Sequence, residues 1–136
     1  MKRYELIEHT ADTGLIAHGR TLAEAFANAA YGMFSIITDL RTVREVESRV
    51  LEVSEQDPEM LLFEWLNRLI YFIDVEMLIL KRFDIGEFDG YRLQATCYGE
   101  KYDASRHHLK TGIKSATYHL LSVDKEQNRV HVIFDI

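Results

Sequence analysis

The sequence predicts a single α+β domain over residues 1–136, with two main helices packed on a mostly antiparallel β-sheet. Two segments repeat apolar residues at helical spacing and begin with good capping residues. Most of the remaining chain alternates polar and apolar residues, as half-buried strands do, and turn sequences separate neighbouring strands. At 136 residues, of which 47% are apolar, the chain is long enough to bury one core.

The first third of the chain predicts two short strands and a helix. Residues 3–9 and 14–19 alternate in the manner of strands. Thr21 is followed three residues later by Glu24, which is the spacing of a capping box. Apolar residues then recur every three or four positions, so we expect a helix over 21–38.

The middle of the chain predicts a strand followed by the more buried helix. Residues 44–55 alternate charged and aliphatic side chains, which is typical of an antiparallel strand with one face in water. Asp57 is a good N-cap and Pro58 suits the first helical position. The broad apolar stripe after them predicts a helix over 58–79, and we expect both helices to cover one side of the sheet.

The last part of the chain predicts two hairpins separated by a polar loop. The strands are expected over 81–88, 91–102, 113–123 and 129–136. Asp89-Gly90 is a strong hairpin dipeptide, and a polar turn joins the second pair. Residues 103–112 are small and polar, which favours a functional or flexible loop.

Charge and cysteine content exclude several classes of protein. Sixteen Lys and Arg face 22 Asp and Glu, a formal net charge of −6, which disfavours a stand-alone nucleic-acid binder and favours a cation site or a basic protein partner. The only cysteine, Cys97, excludes an intramolecular disulfide and a multi-cysteine zinc site, and core packing is its expected role. Neither a signal peptide nor a membrane-spanning segment is evident, so we expect a cytoplasmic protein.

Acids near both ends of the chain are the sharpest functional feature. Asp12 lies in a small polar stretch near the start, and Asp135 lies one residue before Ile136 in a strand-like apolar segment. If the first and last strands are close, these carboxylates and the Ile136 carboxylate converge, which is costly without a cation. Oxygen ligands favour Ca²⁺ or Mg²⁺, and other oxygens would complete the shell of about six to eight that Ca²⁺ takes. Solvated strand ends remain the alternative.

Other candidate sites are less specific. Basic residues and histidines gather in and after the polar loop, namely Lys101, Arg106, His107, His108, Lys110, Lys114 and His119. They could receive phosphate oxygens or form a solvated face. His9 and His119 are the functional candidates among the histidines, although no zinc-type spacing is present. Ser105 with His107 and Asp103 has the side chains of a triad without a nucleophile elbow. Neither a Gly-x-Gly-x-x-Gly nor a Walker loop is present to hold a nucleotide.

Several segments between residue 9 and residue 136 stand out together, and the resemblance that they carry runs in order over residues 4–136. They are His9-Thr10-Ala11-Asp12, Thr21-Leu22-x-Glu24-Ala25-Phe26, Ala29-Ala30-x-Gly32-Met33-Phe34, Leu61-Leu62-x-x-Trp65-Leu66-Asn67-x-Leu69-Ile70-Tyr71, Gly99-Glu100-x-x-Asp103, Ile113-Lys114-x-x-Thr117-Tyr118-His119 and Val132-Ile133-Phe134-Asp135-Ile136. This combination resembles the archease family, small accessory proteins of the RNA ligase that joins tRNA exon halves. Gly112 stands where the family often carries an acid, and Thr13 where it often carries an aliphatic residue.

The resemblance implies a bound divalent cation, calcium first, with magnesium or manganese as alternatives. Its ligands would be Asp12, Asp135 and the carbonyl or carboxylate of Ile136. The resemblance also implies an activator rather than an enzyme, which promotes guanylylation of the tRNA-splicing RNA ligase from GTP and sustains its turnover. RNA would be met only indirectly. The candidate contacts to the ligase or to phosphate are His9, Asp103, Lys110, Lys114 and His119.

Two alternative functions remain open on the sequence. The same carboxylates could serve a stand-alone metal-dependent phosphoester hydrolase, which would lose activity when Asp12 is replaced. A general protein chaperone or adaptor would instead bind its partners regardless of Asp12 and Asp135.

Overall fold

The computed structural model describes residues 2–8 and 12–136, and it holds two helices between two antiparallel sheets. The elements in chain order are β1 (Tyr4–Glu8), β2 (Asp12–His18), α1 (Leu22–Ile37), a 3-10 turn (Leu40–Thr42), β3 (Glu47–Ser54), α2 (Pro58–Glu76), β4 (Leu78–Phe88), β5 (Arg92–Lys101), β6 (Ser115–Asp124) and β7 (Arg129–Asp135). The first sheet has the order β1-β2-β7-β6, and the second has the order β3-β5-β4. Each neighbouring pair is antiparallel.

This arrangement confirms the predicted α+β class and changes one part of the prediction. The strands form two sheets rather than one, so each helix is covered on two sides. In α2, Trp65 packs edge-on against Phe83 of β4, while Asn67 Oδ1 accepts a hydrogen bond from the Ala116 backbone N–H of β6 at 2.9 Å. The Trp65 indole also donates to the Phe26 carbonyl of α1 at 3.0 Å, which joins the two helices within the core.

Both helices begin where local sequence chemistry places them. The Thr21 hydroxyl accepts a hydrogen bond from the Glu24 N–H at 3.1 Å, and a Glu24 carboxylate oxygen accepts one from the Arg20 N–H at 3.0 Å. Asp57 accepts from the Met60 N–H at 2.8 Å and caps α2 in the same way. Because these bonds satisfy amides that the helix itself leaves unpaired, they fix both starts.

The second helix ends three residues earlier than the sequence predicts. Met77 has φ 55°, in the left-handed region, and its N–H closes the helix on the Ile73 carbonyl at 3.1 Å. The apolar run from Leu78 to Leu80 then belongs to β4, fully buried. A short apolar run fits either a buried helix or a buried strand, so its periodicity did not distinguish the two. Within the described part of the chain, neither helix combines the length and apolar composition needed to cross a bilayer.

Gly32 lies where α1 crosses the first sheet, and its lack of a side chain permits close packing. A Cβ at residue 32 would lie 2.5 Å from Leu15 Cδ1 and 2.9 Å from Tyr4 Cγ. Gly32→Ala should therefore lower the free energy of unfolding by about 1–3 kcal/mol, measured by urea unfolding. Gly112→Ala is the matched control, because a Cβ there meets no atom within 4 Å. Equal losses in both variants would contradict this account.

Candidate functional site

Two carboxylates face each other across the centre of the first sheet. Strands β2 and β7 pair with Asp12 directly opposite Asp135. Directly opposed residues of an antiparallel pair place their side chains on the same face, about 4.5–5.5 Å apart at Cβ. Like charges at directly opposed positions destabilise a sheet. A cation bound at this end of the strand pair would reduce the repulsion between the two carboxylates.

The environment of Asp12 supports the same interpretation. One carboxylate oxygen, Asp12 Oδ1, is buried and has no hydrogen-bond partner among residues 2–8 and 12–136. A buried polar atom without a partner costs about 1–3 kcal/mol, and more when it is charged. Asp135 is exposed. A cation that entered from the Asp135 side would satisfy the buried oxygen and relieve the repulsion.

The end of β6 contributes a third position at this site. Ser115 lies opposite Asp135 on the other side of β7, and the Lys114 N–H donates to the Asp135 carbonyl at 2.8 Å. Ser115 was not predicted at this site because the register between β6 and β7 shifts between Thr117 and Ser122. An unbroken continuation from the hairpin turn would have placed Tyr118 opposite Asp135. Leu120, at φ 55°, lies within the irregularity, and sequence periodicity gives no sign of it.

The possible metal ligands at this end of the sheet are oxygen atoms. In the described ranges, no three His, Cys, Asp or Glu side chains converge in a way that could hold a metal. For a cation bound here, Asp12 and Asp135 would supply two carboxylates, and main-chain oxygens such as that of Ile136 would supply further ligands. A set of this kind suits hard cations such as Ca²⁺ and Mg²⁺.

Four other predicted site residues lie in the described part of the chain, and each has different neighbours. Lys114 adjoins the carboxylate pair through its backbone, with an exposed side chain. Lys110 is exposed and its N–H donates to the Ile37 carbonyl at 2.7 Å, which ties the polar loop to the end of α1. His119 is exposed in the irregular part of β6. Asp103 accepts hydrogen bonds from the N–H and hydroxyl of Ser105 within its own turn. His9 lies outside the described residues.

Glu100 lies at the centre of a buried polar cluster that was not predicted from the sequence. Its side chain is 6% exposed, and the Arg106 guanidinium donates to both of its oxygens. The Arg44 N–H donates to Oε2 at 2.7 Å, and His107 Nε2 lies 3.1 Å from the same oxygen. Arg106 above all, with Arg44 and His107, lowers the pKa of Glu100 to about 2. In the sequence, only the Gly99-Glu100-x-x-Asp103 segment, which contains Glu100, pointed to this region.

The cluster also determines which ring nitrogen of His107 carries the proton. Its Nδ1 accepts a hydrogen bond from the Asp103 N–H at 2.9 Å, so Nε2 carries the proton and donates to Glu100. With both ring nitrogens engaged, His107 does not act as a base for Ser105, and the structure does not assemble the triad that the composition allowed. Burial raises the pKa of the Cys97 thiol to about 12, which agrees with core packing.

Nearly the whole chain is similar to proteins of one family. The model of the Archease protein family (MTH1598/TM1083) matches residues 4–136. Protein archease of Saccharolobus solfataricus is 39% identical over 135 residues, covering 98% of this chain and 97% of that protein. Protein archease of Sulfurisphaera tokodaii is 35% identical over 129 residues, covering 94% of this chain and 93% of that protein.

Two solved structures have a similar fold. The solution structure of Methanobacterium thermoautotrophicum protein 1598 matches with a TM-score of 0.81 at 33% identity, over 100% of both chains. The crystal structure of an archease, possible chaperone, from Thermotoga maritima matches with a TM-score of 0.64 at 23% identity, over 96% of this chain and 94% of that chain, and supports the fold alone. On the family match over residues 4–136 and the close relatives, the chain belongs to the archease family.

Proposed function

We propose that this protein is an accessory activator of the tRNA-splicing RNA ligase, which promotes guanylylation of the ligase and its multiple turnover through a carboxylate metal site. The observation that carries the proposal is the opposed pair of Asp12 and Asp135, with a buried oxygen of Asp12 that lacks a partner among the described residues. Membership of the archease family supports a role with a protein partner, and the RNA ligase is the partner that we propose.

Asp12, Asp135 and a main-chain or terminal oxygen of Ile136 would hold the cation, calcium first, with magnesium or manganese as alternatives. When bound, the cation supplies positive charge for phosphate oxygens of the ligase's nucleotide. Asp12 anchors the site from within the sheet because it is the more buried carboxylate. Exposed Asp135 faces the partner, and the Lys114 N–H holds its backbone in place.

The exposed side chains around the carboxylates would meet the ligase or its phosphate groups. Lys114 lies next to the site, and Lys110 follows on the loop that the Ile37 carbonyl fixes. Asp103, His119 and His9 complete the proposed contacts. In this account the chain holds no nucleotide by itself and works in the cytoplasm.

Two side chains that sequence composition offered for catalysis, His107 and Cys97, are engaged in other interactions. His107 uses both ring nitrogens in the Glu100 cluster, and Cys97 is buried with a raised pKa. Neither is available to start a reaction from the surface. We propose that the carboxylate pair acts on the chemistry of a partner.

The test is joining of split tRNA halves by a competent ligase, with GTP and Mn²⁺ or Mg²⁺, in the presence and absence of this protein. We expect more than one joining event per ligase only when the protein is present. The isolated chain is assayed in parallel with a phosphodiester substrate. Hydrolysis without the ligase would favour the hydrolase alternative, and no effect on turnover would favour a general chaperone or adaptor.

A further inference from the structure

A basic cleft opens at the far end of β2 from Asp12. It lies between the residues before β1, the first turns of α1 and residues 81–84 of β4, and its volume is about 650 Å³. Its charged lining residues are Lys2, Arg3, Arg20, Lys81, Arg82, Glu24 and Asp84. Five basic and two acidic side chains leave an excess of three positive charges, in a chain whose formal net charge is −6. The local charge is therefore opposite to that of the whole molecule.

The Arg3 side chain contacts neutral groups. Its Nε donates to Asn28 Oδ1 at 3.2 Å, and its guanidinium lies 3.8 Å from the centroid of the Tyr31 ring. Asn28 is 7% exposed and is fixed in turn by donating to the His18 carbonyl at 2.7 Å. No acid among the described residues pairs with Arg3, and its terminal nitrogens have no hydrogen-bond partner there. The positive charge of Arg3 and the N–H groups of its two terminal nitrogens are therefore available to a ligand.

Lys81 is held in a similar way. Its ammonium donates to the Val43 carbonyl at 2.8 Å, which uses one of its three hydrogens and neutralises none of its charge. By contrast, Arg82 lies 2.7 Å from Glu45, Arg20 lies 3.7 Å from Glu24, and Lys2 lies 3.5 Å from Glu5. The uncompensated charge of the cleft therefore resides mainly on Arg3 and Lys81.

We infer that this cleft binds the phosphate backbone of single-stranded RNA. The cations are distributed over separate elements of an open cleft, which suits a ligand with repeated charges better than a single enclosed anion. The choice of RNA over an acidic peptide rests on the proposed function, which places the protein beside an RNA ligase. β2 has seven residues, so roughly 20 Å separates the cleft from Asp12. The protein would thus contact RNA directly, at a site apart from its carboxylates.

The test measures binding of a labelled single-stranded RNA of mixed sequence to the full chain, by fluorescence anisotropy at several salt concentrations. We expect log affinity to fall linearly with log salt. The double variant Arg3→Gln, Lys81→Gln should bind more weakly, with a slope reduced by about 1.4, because each phosphate that a cation neutralises on a single strand adds about 0.7 to the slope. Circular dichroism checks that the variant is folded.

The matched control removes the same two kinds of charge elsewhere. Arg68 and Lys125 are exposed and lie outside the cleft, so Arg68→Gln, Lys125→Gln should keep the wild-type slope. Absence of RNA binding by the wild-type chain, an equal change in both double variants, or displacement of RNA by inorganic phosphate or an acidic peptide at equal charge would each overturn the proposal. The ligase is absent from this assay, so its outcome is independent of the activator role.

Discussion

Asp12→Asn should abolish stimulation of the ligase while leaving the fold intact. The substitution keeps the shape of the side chain and removes the charge that faces Asp135 across β2 and β7. Because oxygen ligands hold a hard cation largely by their negative charge, we expect calcium affinity to fall about 100-fold, or about 2.7 kcal/mol. Calorimetric titration measures the affinity, and joining of tRNA halves beyond one turnover measures the activation.

The stability of the same variant separates a cation site from a structural role. Without metal, Asp12→Asn should be neutral or should stabilise the protein by up to about 1 kcal/mol, because it removes a like-charge pair. With calcium, the wild-type chain should gain stability that the variant lacks, since a ligand that binds only the folded state stabilises it. Glu126→Gln, at an exposed residue of the last hairpin turn, should behave as wild type. Calcium binding and ligase stimulation that survive in Asp12→Asn would refute the carboxylate site.

Local features of the fold were predictable, and its long-range pairing was not. The starts of both helices follow from Thr21 with Glu24 and from Asp57, because a cap depends on neighbours within four residues. The division into two sheets depends on which strands pair. Alternation identifies a strand without naming its partner, so one sheet was expected where the helices lie between two.

In the candidate site, too, some residues could be predicted from the sequence and others could not. Asp12 and Asp135 could be paired in advance because strands near the two ends of a chain are plausible neighbours, and the structure places them opposite each other. The position of Ser115 could not be predicted, because it depends on an irregularity in β6 that leaves no periodic pattern in the sequence. The Glu100 cluster also escaped prediction, since the fold of the turn at Asp103 decides which partners reach the carboxylate.

Glu100→Gln should cause the largest loss of stability among single charge-neutralising substitutions in the described chain. The carboxylate accepts hydrogen bonds from Arg106, the Arg44 N–H and His107, and its side chain is 6% exposed. An amide would offer one acceptor and would point N–H groups at donors. Removal of one partner from a buried ion pair costs about 3–5 kcal/mol, and we expect about 3 kcal/mol because Arg106 keeps some exposure.

A control on the neighbouring strand isolates the effect of burial. Glu52 of β3 pairs with Arg92 at 3.6 Å and its side chain is 62% exposed, so Glu52→Gln should change the free energy of unfolding by less than about 0.5 kcal/mol. Urea unfolding at neutral pH measures both variants. A similar small change in both would show that the Glu100 cluster contributes no more than a surface ion pair.

The pH dependence gives the same cluster a second, independent signature. Arg106 holds the pKa of Glu100 at about 2, below the ordinary 4.5, so the stabilisation is complete above pH 4.5 and is lost as pH falls towards about 2. The difference in unfolding free energy between wild type and Glu100→Gln should therefore shrink across this window. A difference that stays constant would mean that Glu100 does not act as a carboxylate. Since His107 links Glu100 to the turn that leads to Lys110 and Lys114, the variant should also weaken ligase stimulation while calcium affinity at Asp12 is retained.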